Sequence, residues 1–171
     1  MTTVLQQEKT NKTIMTTSSN GIELIKKFEG CRLYAYRDSV GIPTIGWGHV
    51  KDVRMGMSIT YAQAEAFLKS DITPVERVLN GMGINYTQNQ FDALVSWIFN
   101  LGTGNFKKST MYKKIVARAK DTDVTDQLVK WYNAGGKPLL GLKRRRVAEA
   151  NMYLGRNAYY IDIYGNIKRR I

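Results

Sequence analysis

Residues 87–102 restrict the fold more than any other stretch of this chain. Thr87 and Gln90 stand at the spacing of a capping box, in which a threonine and a glutamine three residues on satisfy free backbone N–H groups at a helix start. Phe91, Leu94, Val95, Ile98 and Phe99 then recur at helical spacing, and Gly102 supplies the stop. This is the most apolar segment of the chain, which predicts a central core helix. With 171 residues the chain is long enough for one such core, not for a second full domain.

The flanking segments take their type from the same cues. Ile22, Ile25 and Phe28 lie on one side and Lys26 and Lys27 on the other, so residues 22–29 read as a short amphipathic helix with Glu29 last and Gly30 as its stop. The period changes over Arg32 to Asp38; turn residues follow from Ser39 to Pro43, then Thr44 to His49, predicting a small antiparallel hairpin or meander. Thr60 with Gln63 forms another capping box, opening a helix carried by Ala64, Phe67, Leu68 and Ile72; Pro74 is expected to kink or restart it. Further helices are expected near 110–119, 122–132 and 142–154. Residues 1–20 are polar and read as a flexible tail, residues 21–155 as the folded domain, and the tyrosine-rich residues 156–171 as an extension with a turn or hairpin around Gly165. The order predicts an α+β fold, mainly α, with a small β-hairpin lobe and a larger helical lobe.

Lys and Arg number 26 against 14 Asp and Glu, a net charge of +12, so an anionic partner is expected. A nucleic-acid module would concentrate its cations on one face with stacking aromatics, whereas here they are spread over nearly every segment. A membrane-perturbing protein would want a basic helix with a long apolar face, which residues 142–154 lack. No apolar run is long enough to span a membrane or to serve as a signal peptide. One cysteine and one histidine exclude a disulfide framework and a Cys/His zinc cluster. His49 lacks a nucleophile elbow, Cys31 lacks a base, and Gly46-Trp47-Gly48 lacks the third glycine of a dinucleotide fingerprint.

Carboxylate chemistry remains. Glu29 falls on the apolar face of its helix, where desolvation would raise its pKa and suit it to act as a general acid. Asp38 follows nine residues later at a strand end, and Thr44 six further on the returning strand. That spacing can set two carboxylates across a cleft, as glycoside hydrolysis requires. On spacing alone, a helix-terminal glutamate and a turn aspartate without catalytic duty account for it equally well.

The surrounding motifs break the tie. Glu29, Asp38 and Thr44 sit within F-E-G-x-R-L-x-A-Y-R-D and T-I-G-W-G-H, and the chain resembles the phage-type lysozymes, glycoside hydrolase family 24. Three further blocks agree: Ala93 to Gly104, Phe106 to Thr110, and Trp131 to Gly136 followed by Gly141 to Arg146. The resemblance runs over residues 21–155 and implies a lysozyme-like fold whose lobes are joined by a long helix. It implies hydrolysis, with inversion, of the β-1,4 bond between N-acetylmuramic acid and N-acetylglucosamine in peptidoglycan. In that reading Glu29 is the general acid, Asp38 the second carboxylate and Thr44 the residue that positions water. Val50, Phe99 and Ser109 contact the glycan, and His49 pairs with Asp71. Lys143 to Arg146 form a solvated or salt-bridged basic face. The near rival is a lytic transglycosylase, which needs the acid but neither Asp38 nor Thr44. No metal or cofactor is implied, nor a nucleic-acid partner or a stable membrane anchor, and the enzyme is a monomer. Many relatives carry a signal-anchor-release segment for which Met1 to Asn20 is too polar, so release from the bacterial host cytoplasm through a holin pore or a secretion machine is expected.

Overall fold

The computed structural model describes residues 13–171. Seven helices and three strand pairs follow one another among them. Helix α1 (Ser19–Glu29) leads into strands β1 (Arg32–Arg37) and β2 (Pro43–Gly46); α2 (Tyr61–Gly81) and α3 (Gln88–Leu101) come next. Then follow α4 (Thr103–Lys108), α5 (Thr110–Val116), α6 (Asp121–Leu128), the short pair β3 (Asn133–Ala134) and β4 (Lys137–Pro138), α7 (Leu140–Leu154), and β5 (Tyr159–Ile161) with β6 (Ile167–Arg169). This is the expected α+β arrangement, mainly α.

α3 is the centre, as its composition requires. Eight consecutive residues, Phe91 to Ile98, are buried, and the helix packs on α1, α2, α4 and, most extensively, α7. Its capping box is complete: Thr87 Oγ1 accepts from Gln90 N–H at 3.1 Å and Gln90 Oε1 from Thr87 N–H at 2.9 Å. Burying a helix on every side leaves its polar side chains in need of partners. Asp92 receives the Ser18 N–H at 3.0 Å and Gln88 Nε2 at 2.8 Å, and Ser96 Oγ donates to Glu149 at 2.6 Å.

α2 runs from the hairpin side to the core, about 31 Å at 1.5 Å per residue. It passes through Pro74 as one helix, not as two. Proline removes one intrahelical bond, but Ala64, Leu68, Ile72, Val75 and Leu79 form one buried stripe on both sides of it, and that burial outweighs the loss.

The hairpin is shaped by its glycines. Tyr36 pairs with Thr44 and Arg37 with Pro43, while the middle of β1 pairs instead with residues 57–59: Ala35 N–H bonds Met57 O and Ile59 N–H bonds Leu33 O, both at 2.9 Å. The strand expected to continue to His49 turns back at Trp47. Gly46 and Gly48 adopt φ of +63° and +77°, which L side chains avoid, and Ile45 and His49 exchange both backbone bonds at 2.9 Å.

Two boundaries differ from expectation. Order does not wait for Gly21: Met15 N–H and C=O are both held by the Asn80 side chain at 2.9 Å, Thr17 N–H by Glu76 at 2.5 Å, and α1 starts at Ser19. A short polar strand can be held by side-chain amides and carboxylates without burying apolar groups of its own, which composition does not show. The remainder of the tail expected over 1–20 lies outside the described residues. Gly135 and Gly136 make the turn of the β3–β4 pair, so α6 ends at Leu128, short of the expected Tyr132. At the other end β5 and β6 form the hairpin around Gly165, packed on α7 through buried Tyr159.

Candidate active site

The end of α1, the β1–β2 hairpin, the middle of α2 and the end of α3 line a cleft of about 500 Å³. Glu29, Asp38, Thr44, Val50, Asp71 and Phe99 all line it.

Glu29 is the last residue of α1, fixed there because Gly30, at φ +66°, ends the helix. Its carboxylate is largely buried, but its surroundings are not the apolar ones that its helix face suggests. Oε1 meets Nη1 of Arg145, from α7, at 2.6 Å. Oε2 lies against Gly48, where an added β-carbon would stand 3.2 Å away. The glycine lets the hairpin close on the carboxylate.

Arg145 is itself buried and held on three sides: by Glu29, by Ser96 O at 3.1 Å and by Glu149 at 3.4 Å. Glu149, wholly buried, also meets Arg146 Nε at 2.6 Å, off the N–H direction and with no other partner for either atom. Arg146 reaches on to Asn100 Oδ1 at 2.8 Å, and Asn100 lines the cleft. Burial pulls the Arg146 guanidinium below the usual arginine range, and Glu149 opposes that shift. The solvated or salt-bridged face expected over Lys143 to Arg146 is divided between the two, and its salt-bridged part is buried rather than on the surface. Arg144 is exposed, while Arg145 and Arg146 point inward, because the one carboxylate able to neutralise both sits one helical turn further along α7.

Asp38 closes the hairpin turn. Its Oδ1 accepts the N–H groups of Val40 at 2.9 Å and Ile42 at 2.8 Å, and Oδ2 has no protein partner among the described residues. Thr44 Oγ1 donates to Ile42 O at 2.8 Å, so its lone pairs remain free to accept. His49 Nδ1 lies 2.8 Å from Asp71 Oδ2, and its ring stacks on Phe67 with centroids 4.1 Å apart. The pair ties the end of the hairpin segment to α2.

Ser109, expected with Val50 and Phe99 to contact the glycan, does not line the cleft as they do. It is buried as the N-cap of α5, accepting from Tyr112 N–H at 3.0 Å and donating to Phe106 O at 2.7 Å. A serine immediately before a helix has these backbone groups within reach, and capping them engages its hydroxyl. Beyond the expected residues, Asn100, Tyr36 and Lys51 line the cleft and Arg145 holds Glu29 from below. For Arg145 the sequence carries a signal: two arginines three and four residues before a glutamate on a face shared with Ala150 and Tyr153. Among the described residues no group of three His, Cys, Asp or Glu could hold a metal ion, and no helix is long and apolar enough to cross a membrane.

A helix-borne carboxylate and a hairpin-borne one opening onto a single cleft, with a threonine beside the second, is the layout of a lysozyme-type glycosidase. Comparison with known proteins narrows the class. The phage lysozyme family profile matches residues 26–149, and the chain belongs to that family. It is 41% identical over 144 residues to the endolysin of Acyrthosiphon pisum secondary endosymbiont phage 1, covering 81% of this chain and 98% of that one. It is 40% identical to the endolysin of Salmonella phage P22 over 139 residues, 78% of this chain and 94% of the other. Among solved structures, the muramidase domain of SpmX from Asticaccaulis excentricus superposes with a TM-score of 0.75 at 35% identity, covering 81% of this chain and 97% of that one.

Proposed function

We propose that this phage lysozyme hydrolyses the β-1,4 bond between N-acetylmuramic acid and N-acetylglucosamine with Glu29 as general acid and with Asp38 and Thr44 holding the attacking water. The observation that carries the reading is that these three side chains line one cleft together with Val50 and Phe99. Arg145 occupies Oε1 of Glu29, which leaves Oε2 to carry the proton given to the glycosidic oxygen. On the hairpin, Asp38 and Thr44 line the same cleft and both engage Ile42, which leaves Asp38 Oδ2 and the Thr44 lone pairs as acceptors for a shared water. A water that donates a hydrogen bond to each turns its lone pair outward, toward the anomeric carbon.

Glu29 protonates the glycosidic oxygen as its bond to the anomeric carbon breaks, and the electron pair leaves with that oxygen. The water oxygen bonds the same carbon from the opposite face and passes a proton to Asp38. The configuration inverts and a free reducing muramic end is produced. Val50, half exposed, and Phe99 offer apolar surface for the sugar faces. Wall digestion by Glu29→Gln is expected to fall about 10²- to 10⁴-fold in kcat. Muropeptides from wild-type digests should carry reducing ends; 1,6-anhydro ends would sink the hydrolytic role of Asp38 and Thr44 in favour of a transglycosylase.

The reading extends to a monomeric enzyme released from the bacterial cytoplasm through a holin pore or a secretion machine. Sizing in solution checks the first part. Lysis of cells expressing the chain with and without a pore-former checks the second.

A further inference from the structure

The β5–β6 hairpin lies beyond the stretch matched by the family profile, which stops at residue 149, and the hydrolytic reading leaves it without a task. We propose that its tip and outer face form a docking surface for anionic lipid bilayers.

The register sorts its side chains onto two faces. Tyr159 pairs with Arg169 and Ile161 with Ile167, and this face is turned to the protein: Tyr159 is buried and bonds Asp126, and Arg169 meets Asp126 at 3.0 Å. The other face carries Tyr160 opposite Lys168, with the Arg170 guanidinium 4.7 Å from the Tyr160 ring centre. Tyr160, Lys168 and Arg170 are all exposed. Between the strands, Ile163 and Tyr164 stand out at 91% and 82% exposure.

The tip is built to hold them there. Asp162 Oδ1 accepts the N–H groups of Tyr164 at 2.9 Å and Asn166 at 2.8 Å, its own N–H bonds Asn166 O at 2.9 Å, and Gly165 N–H returns to Asp162 O at 3.0 Å. Lys143, from α7, reaches across to Gly165 O at 2.6 Å and adds a cation at the base of the tip. Two adjacent large side chains on a braced turn, with Lys143 at its base and Lys168 and Arg170 on the outer face behind it, form a wedge that is already shaped before it meets its partner.

The occupant follows from the size and charge of the surface. A specific protein interface needs about 800 Å² from each side, more than a five-residue tip offers. An anionic polymer would satisfy Lys168 and Arg170 but has no hydrocarbon layer to receive Ile163. An anionic bilayer satisfies both, with the cations at the headgroups and the tip at the acyl boundary. The cleft residues are not involved, so the proposal is independent of the catalytic reading.

The test is sedimentation of the full chain with vesicles of phosphatidylcholine, with and without about one quarter phosphatidylglycerol. The chain is expected to partition onto the anionic vesicles. Replacing Ile163 and Tyr164 together by Ser should lower that partition at least about tenfold, and Lys168→Gln or Arg170→Gln about fivefold each. In a separate variant, Tyr164→Trp, the added emission should shift to the blue when anionic vesicles are present. Equal partition onto both vesicle types overturns the proposal, as does a tip double variant that binds like the wild type. Tyr164-dependent binding of a single-stranded oligonucleotide, with none to vesicles, overturns it in favour of nucleic acid. Retained wall hydrolysis by the double variant shows that its fold is intact.

Discussion

Glu149 shows how far the site extends below its surface. It touches nothing in the cleft, yet it anchors Arg145, which holds Glu29, and Arg146, which holds Asn100. Removing its charge leaves two buried guanidinium groups with Glu29 as their nearest anion. Breaking a buried ion pair from one side costs about 3–5 kcal/mol. Glu149→Gln is therefore expected to lower unfolding stability by that order in urea titrations, and in the folded protein to lower kcat more than it changes KM. An unchanged kcat at full folding would mean that Arg145 needs no such anchor. At this scale spacing alone leaves Glu29, Asp38 and Thr44 undecided; the motifs around them single them out, and the structure brings the three to one cleft because they span one helix end and one hairpin. The neighbour of Glu29 is not legible, since Arg145 is 116 residues away and reads in sequence as one more member of a basic run. The capping role of Ser109, by contrast, is local, since the backbone groups that engage its hydroxyl lie within three residues.

Among the elements, those with complete caps were read most closely. α2 and α3 begin where their Thr-x-x-Gln boxes place them, because both halves of the box act within four residues. Segments defined by distant partners were read least well: the residues before α1, held by Asn80, Glu76 and Asp92, and the β3–β4 pair, whose two glycines look like a helix stop. The final hairpin around Gly165 is legible as a turn, but its attachment is not. That attachment is Tyr159, whose hydroxyl lies 2.5 Å from Asp126 Oδ1 and 2.9 Å from Thr125 Oγ1. Burial, reinforced by Asp126, pushes its phenol up to about 12, from 10.0. A group raised on folding stabilises fully below its unfolded value and ceases to do so as pH climbs through the folded one. The contribution of Tyr159 is thus complete below pH 10 and lost between about 10 and 12. Tyr86 and Tyr153 are raised by burial as well, so the wild type should lose stability along this limb in any case. In Tyr159→Phe the slope should be shallower by at most about 1.4 kcal/mol per pH unit. Identical slopes in urea titrations across that range would show that Tyr159 is not protonation-linked to folding.

For the whole molecule, the question is what a charge of +12 does once its placement is known. Many of the carboxylates are held by internal partners: Glu29 and Glu149 by arginines, Asp71 by His49, Asp38, Glu76 and Asp92 by backbone N–H groups. Most of the described lysines, by contrast, face solvent, from Lys27 on α1 to Lys168 on β6. Cations spread over many elements rather than gathered on one suit adsorption to an extended anionic wall more than recognition of one site. Adsorption and chemistry should then respond differently to salt. Exposed charges act through water and are screened over about 10 Å at 0.1 M ionic strength and about 3 Å at 1 M, whereas the Glu29–Arg145 contact is short and largely buried and is screened much less. Raising salt from about 0.05 to about 0.5 M should accordingly increase KM for intact wall several-fold and leave kcat within about twofold. On short soluble glycan fragments, which present few anions at a time, KM should move far less. If kcat on wall instead declined in step with kcat/KM, the cations would have to act in the transition state, and the general field could no longer be separated from the two arginines that brace the cleft.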